Sequence, residues 1–318
     1  MASTEIEILD PAATVDKNNK IAAGRAQNRR RFLAALGMTG AAAGVGLMSG
    51  CSTTSTSSMA TTMAGTGQTN ILAFLLNLQY LEATFYSYLA TGGDLPTSVT
   101  SGSGTITNAP AALAVGGTIT QQGLDLLNET YYDELNHVLF LQSILGSGVI
   151  ARPAINLAAF GAPTAANALS IGRLLEDVGI TACTSALAGL STSNAAYVAQ
   201  ILGAESFHAG ALRLLSIQSS APYINSGDGL DVPPYDPNSA ALAAAGPAAL
   251  GGFFASAGGA AASTNTTEGL AYTRTTSQVL AVLYGTPTSS GLAIVPASAG
   301  TNSGGFFPSG VNGAINTI

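Results

Sequence analysis

The chain has 318 residues, of which 47% are hydrophobic and only 8% charged, with no tryptophan and a formal net charge of −7. That is enough apolar material for one good core with extensions, and far less charge than a typical soluble chain carries. Beyond Cys51 there is no lysine, and four arginines (Arg152, Arg173, Arg213, Arg274) stand against thirteen acids. A basic footprint for nucleic acid is thereby excluded.

Residues 1–27 hold both lysines, Lys17 and Lys20, and read as a disordered leader. Asn28-Arg-Arg-Arg-Phe-Leu33 follows, and from Phe32 to Gly50 nineteen uncharged residues rich in Ala and Gly. Paired arginines before such a run are a twin-arginine export signal. The run is also long enough for a transmembrane anchor, a reading that its many Gly and few Leu disfavour. Leu47-Met-Ser-Gly-Cys51 resembles a lipoprotein cleavage box, which makes Cys51 the candidate lipidation site; the alternative is ordinary cleavage nearby, with Cys51 discarded. Residues 1–51 are thus expected to direct export to the periplasm or cell envelope, with a lipid anchor if Cys51 is acylated. Cys183 would then be the sole remaining thiol, a small core residue, and no internal disulfide could form.

A Ser/Thr/Gly-rich linker occupies residues 52–69, and Asn70 is a suitable N-cap for a first helix ending at Thr91-Gly-Gly93. The long Gly/Ser/Thr stretch Thr91–Thr120 alternates weakly at Thr105–Thr107 and Leu113–Val115, as a site cover or small strands would. A second helix spans about Gln121–Leu145. Gly146–Pro163 reads as a crossover, and the third and fourth helices cover about Leu169–Leu187 and Asn194–Ile217. The fold class expected is all-α, a four-helix bundle over residues 70–218.

Each helix breaks its own pattern in the same way. The inward stripes are Leu75, Leu78, Glu82, Phe85, Leu89; then Leu127, Tyr131, Glu134, Val138, Leu141, Leu145; then Leu169, Arg173, Glu176, Ile180, Cys183, Leu187; and last Val198, Ile201, Glu205, His208, Leu212, Leu215. A glutamate stands where each pattern asks for a hydrophobe. Burying a lone carboxylate is costly unless it is paired, protonated or bound to metal. The chain has two histidines, His137 and His208, and each follows a stripe glutamate by three residues. That spacing puts both side chains on one side of one turn, where a single cation touches both. One stripe glutamate alone would be an ordinary rim residue, and one histidine a satisfied core residue. The joint order Glu, Glu-x-x-His, Glu, Glu-x-x-His is instead the ligand set of a two-metal carboxylate site. The candidate metal ligands are Glu82, Glu134, His137, Glu176, Glu205 and His208, around two iron ions or manganese.

Asp133 and Asp177 adjoin ligand glutamates and are candidate acceptors for the second N–H of a ligating histidine; solvated charge is the alternative. Tyr131 and Tyr80 lie near the site, with core packing favoured over a redox role, and Glu129 falls outside the stripe. After Ser219 the chain turns irregular and acidic. Asp228, Asp231 and Asp236 lack calcium-loop spacing and read as solvated loop charge. Ala240–Ala262 has room for a short helix, Thr275–Tyr284 reads as a helix with Val279, Leu280 and Leu283 inward, and a Gly/Phe/Pro tail closes the chain. Residues 219–318 are expected to pack on the bundle as an irregular extension.

The segments LNLQYLEATFYSYL, YYDELNHVLFLQSIL, LLEDVGITACTSAL and QILGAESFHAGALRLL resemble the ferritin-like domains of the plant and bacterial desiccation-related protein family. The likeness continues through Thr275–Gly285 and the tail GGFFPSGVNG at Gly304–Gly313. It implies a ferritin-like bundle with a di-metal site on the six residues above, but no settled reaction. Three classes of function follow: a redox enzyme acting on oxygen or peroxide, metal sequestration without turnover, and a structural or desiccation-protective envelope protein. Oligomeric state is left open.

Overall fold

The computed structural model describes residues 67–102, 104–117, 119–228 and 273–318. The export signal with Arg29, Arg30 and Cys51, the linker up to residue 66, the Ala240–Ala262 segment, Asp231 and Asp236 lie outside the described residues. Four long helices carry the fold: α1 (Gln68–Thr91), α3 (Gln121–Leu145), α4 (Ala168–Ala186) and α5 (Thr192–Gln218). A one-turn helix α2 (Thr97–Thr100) interrupts the first connection, and α6 (Thr276–Leu283) follows the bundle. No helix among the described residues is long and apolar enough to cross a membrane.

Residue pairs fix the directions. Gln142 bonds the Tyr80 hydroxyl while Tyr131 reaches Ser87, so α1 and α3 run antiparallel. Gly172 adjoins Leu212 while Gly179 adjoins Glu205, so α4 and α5 do too. His137 faces Glu205 and His208 faces Glu134, which makes α3 and α5 antiparallel. Two hairpins are therefore joined through α3 and α4, which run the same way. Only a connection along the bundle's length can link them, and residues 146–167 supply it. Within that crossover β2 (Ile155–Asn156) pairs in parallel with β1 (Ile106–Thr107) from the first connection. The alternation at Thr105–Thr107 thus becomes a strand. That at Leu113–Val115 does not: Leu113 N–H bonds the Leu89 carbonyl of α1, and Val115 is exposed.

Helix starts follow side-chain chemistry where it is present. Thr120 accepts from Gly123 N–H, Ser191 from Asn194 N–H, and Thr275 with Gln278 forms a full capping box. The expected cap at Asn70 is corrected: α1 begins at Gln68 behind Gly67, and Asn70 already donates its N–H to the Gly67 carbonyl inside the first turn. At the other end Gly92 adopts φ +71, the left-handed cap that glycine tolerates best.

Burial divides the helices into two kinds. α3 and α5 bury one face, as their stripes require, and leave Tyr132, Leu139, Phe207 and Leu214 exposed outside. α1 and α4 are buried on nearly every face. α1 carries no charged residue other than Glu82, and a helix apolar all round is a helix covered all round. The cover comes from the C-terminal residues. Asn77 on α1 and Asn312 in the tail exchange two hydrogen bonds, Nδ2 to the Asn312 carbonyl at 2.8 Å and Asn312 N–H to Oδ1 at 3.0 Å. α6 packs on α4, where the Ser185 hydroxyl bonds the Arg274 carbonyl.

The two aromatics of the tail, Phe306 and Phe307, are fully buried. Phe306 stacks edge-on against Phe160 of the crossover and Phe307 against Tyr284. Gly305 between them and α6 admits no side chain, because an added Cβ would fall 2.2 Å from the Leu283 carbonyl. Asp228, read as solvated loop charge, instead holds the buried Arg274 guanidinium at 2.7 Å. A buried arginine needs such a partner, and forty-five residues separate the two in sequence, so spacing gave no hint of it.

Candidate metal centre

All six predicted ligands meet in the core. Glu82 is 2% exposed, Glu134, Glu176, Glu205 and His208 are 0%, and His137 is 8%. The two Glu-x-x-His helices face each other, so each histidine reaches across. His208 Nδ1 lies 3.1 Å from Glu134 Oε1 and 3.3 Å from Glu176 Oε2. His137 Nδ1 lies 3.2 Å from Glu134 Oε2 and 3.6 Å from Glu205 Oε1. Glu134, Glu176, Glu205 and His208 each offer one ligand atom within 4.8 Å of the others, the spacing of a group that can hold a metal ion. Glu82 and His137 border this set.

The electrostatics of the ion-free cluster are those of crowded acids. Burial, then the Glu134 and Glu176 charges, raises the Glu82 carboxyl well above its ordinary range. Glu205 is raised likewise, by burial and then by Glu134, Glu82 and Glu176. Burial pushes Glu134 up too, but His137 and His208 outweigh it and hold that carboxyl at about 2. Burial acts to lower His208; Glu176 and hydrogen bonds to Asp133 and Glu134 reverse this and raise the imidazole far above its usual value. Protons thus do the neutralising that cations can do.

Glu176 Oε1 and Glu205 Oε2 have no hydrogen-bond partner among the described residues, and Glu134 Oε1, Glu176 Oε2 and His208 Nδ1 face only one another. Orphaned buried oxygens are rare and each calls for an explanation. Here they converge, and they are carboxylate and imidazole donors. The residues present fit a divalent metal.

The surroundings match some expectations and correct others. Asp133 Oδ2 accepts from His208 Nε2–H at 3.3 Å, the position of an orienting partner on the ring nitrogen away from the cluster. Asp177 takes no such role. It is buried against Arg173 at 2.5 Å and Arg213 at 3.4 Å, and Arg173 also lies over the Tyr223 ring. This pairing explains an arginine on the inward stripe of α4. Tyr80 accepts from Gln142 and donates to the Ile150 carbonyl of the crossover, and Tyr131 reaches Ser87, so both are packing residues. Cys183 is buried nearby, its thiol pushed up by burial and then by the Glu82, Glu134 and Glu176 charges; it is not a member of the ligand group.

Three residues beside the cluster escaped the sequence reading. Gln79 donates to two of the carboxylates. Tyr86 is fully buried with its hydroxyl beside Glu176, and burial followed by that charge raises its pKa well above the ordinary phenol range. Gly179 lets the α4 backbone approach closely: a Cβ there would fall 2.7 Å from Glu82 Oε1 and 2.9 Å from Glu205 Oε2. All three lie one helical turn from a ligand glutamate, at spacings of three or four, and that rule would have found them.

Residues 67–218, the four bundle helices, match a family model described as a ferritin-like domain. No curated protein and no solved structure matches the chain significantly. The fold is therefore an all-α ferritin-like bundle with a buried Glu/His cluster that can bind metal.

Proposed function

We propose that this chain is an exported ferritin-like protein that holds two iron or manganese ions and uses them in oxygen- or peroxide-linked redox chemistry. The observation that carries this reading is the convergence in the core of buried carboxylate oxygens and an imidazole nitrogen that face one another. Four carboxylates and two neutral imidazoles around two divalent cations sum to zero charge, which removes the cost of burying the acids. Carboxylate-rich ligation with imidazole suits iron or manganese better than a thiolate-seeking metal.

When bound, such ions supply the electrons exchanged with a small oxidant. The chain's own residues hold and shield them. Glu82, Glu134, His137, Glu176, Glu205 and His208 ligate, Asp133 fixes the His208 ring, and Tyr86 keeps its proton beside Glu176. Val138, Leu141, Ile201 and Leu212 line the same faces and exclude water. Among these polar groups only the side chains of Asp133 (17%) and His137 (10%) show appreciable exposure, so the seam between α3 and α5 is the approach for a small molecule.

Export rests on the Arg29–Arg30 pair and the box ending at Cys51. Twin-arginine export carries folded proteins, so a site filled in the cytoplasm would leave intact for the periplasm or envelope, lipid-anchored through Cys51. Changing Arg29 and Arg30 to Lys should leave the protein in the cytoplasm, and Cys51→Ala should free it from the membrane fraction without stopping export. The likeness of the tail GGFFPSGVNG, which buries Phe306 and Phe307, to desiccation-related proteins supports a second reading, a stress-protective envelope scaffold. Metal content and oxygen or peroxide consumption of protein purified from an export-competent host separate these. Two equivalents with turnover support the redox enzyme, two without turnover support sequestration, and none leaves the scaffold.

A further inference from the structure

Gln79 sits one turn before Glu82 on α1 and is 2% exposed. Its Nε2 donates to Glu82 Oε2 at 2.6 Å and to Glu205 Oε1 at 2.7 Å, joining carboxylates from two helices. Both contacts use the NH2 end of the amide, which offers two donors. That orientation leaves Gln79 Oε1 without a hydrogen-bond partner. Glu205 Oε1 also lies 3.6 Å from His137 Nδ1. Glu82, Glu205 and His137 therefore gather around an amide nitrogen that already occupies one oxygen of each of the two glutamates.

The other half of the cluster is not obstructed in this way. Glu134, Glu176, Glu205 and His208 place ligand atoms within 4.8 Å of one another, and His208 Nδ1 faces Glu134 Oε1 and Glu176 Oε2 at 3.1 and 3.3 Å with no outside amide between them. Glu205 serves both halves, one oxygen toward Gln79 and the other unpartnered. The six ligands are symmetric in sequence, but the structure makes their two halves unequal.

We propose that Gln79 is an internal competitor for one of the two metal positions. The set Glu134, Glu176, Glu205 and His208 takes the first divalent cation with its ligand atoms already gathered and only protons to displace. A second cation, drawing on Glu82, Glu205 and His137, has to displace the Gln79 amide from both carboxylates. This rests on the reading that the cluster binds metal, and it adds an order of loading and a residue that sets it.

The test is an anaerobic Mn²⁺ titration of the chelator-stripped full chain, followed by calorimetry and by electron paramagnetic resonance. The isolated-ion signal should grow with the first equivalent and give way to a coupled signal with the second. The second step should be about tenfold or more weaker than the first, the scale on which groups bonded to ligands tune metal affinity. Gln79→Ala and Gln79→Leu should strengthen the second step toward the first and leave the first unchanged. One equivalent in the native protein and two in the variants would support the proposal equally. Two equal, simultaneous equivalents in the native protein would overturn it whatever the variants do, and so would unequal steps that persist unchanged in both variants. A native protein that binds no Mn²⁺ or Fe²⁺ at all would instead remove the metal reading beneath it.

Discussion

His208 on α5 and Glu134 on α3 meet at 3.1 Å, where two helices that otherwise share few contacts are tied together by the polar cluster. α1 pairs broadly with α3, and α4 with α5, through hydrocarbon. The α3–α5 seam depends far more on what neutralises Glu134, Glu205 and the two histidines. Metal loading should therefore stabilise the fold as well as fill a site.

Asp133 reaches the far nitrogen of His208 at 3.3 Å. Asp133→Ala should lower metal affinity about 10- to 100-fold while leaving the helical content intact. Equilibrium titration against a competing chelator reads this out. An unchanged affinity would mean that Asp133 is only a surface acid beside the ring.

At Gly179 two effects oppose each other. Replacing a mid-helix glycine by alanine ordinarily stabilises a helix by about 1 kcal/mol. Here the new Cβ would fall 2.7 Å from Glu82 Oε1 and 2.9 Å from Glu205 Oε2, and both are buried acids with little room to yield. Gly179→Ala should lower the melting temperature and weaken metal binding. A melting temperature raised as propensity alone predicts would show that the carboxylates move aside freely.

The pH dependence of the metal-free protein follows from the directions of its shifts. Glu82 and Glu205 are raised, so their contribution is full below about 4.5 and is lost as pH rises through their folded values. His208 is raised as well, so its contribution is full below about 6.5 and falls above it. Glu134 is depressed to about 2, so its contribution is present above about 4.5 and disappears between there and about 2. Metal-free protein should thus be most stable near pH 4.5 and weaken from there toward pH 8, by at most about 1.4 kcal/mol per unit for each raised group. Metal displaces those protons, so the gain in melting temperature on adding Fe²⁺ or Mn²⁺ should grow with pH. A metal-free protein that gains stability from pH 6 to 8 would contradict the shifts.

Much of this was legible in the sequence because helical period is a strong signal. The stripe of α3 matched burial, that of α5 did so up to Leu212 with Leu215 only partly buried, and Glu134, His137, Glu205 and His208 stood out as exceptions to the pattern. The crossover was legible from helix order and length. Gln79 and Tyr86 break no hydrophobic pattern themselves, and only their spacing of three and four from Glu82 marks them as its neighbours. Asp228 with Arg274, and Asn77 with Asn312, were out of reach for a different reason. Such pairs are set by how the C-terminal residues fold back on α1 and α4, and no local spacing encodes that.

The most direct measurement is metal content per chain together with melting temperature for the native protein and Glu205→Ala, each with chelator and with Fe²⁺ or Mn²⁺, at neutral pH. Glu205 is fully buried and faces both halves of the cluster. If the cluster binds metal, the native protein should carry it and melt higher when loaded, while Glu205→Ala should lose metal and melt below the loaded native protein. With chelator the order should close or reverse, since the substitution removes a costly buried acid. Native protein free of metal under every condition, and a Glu205→Ala protein as stable or more stable throughout, would contradict the metal centre.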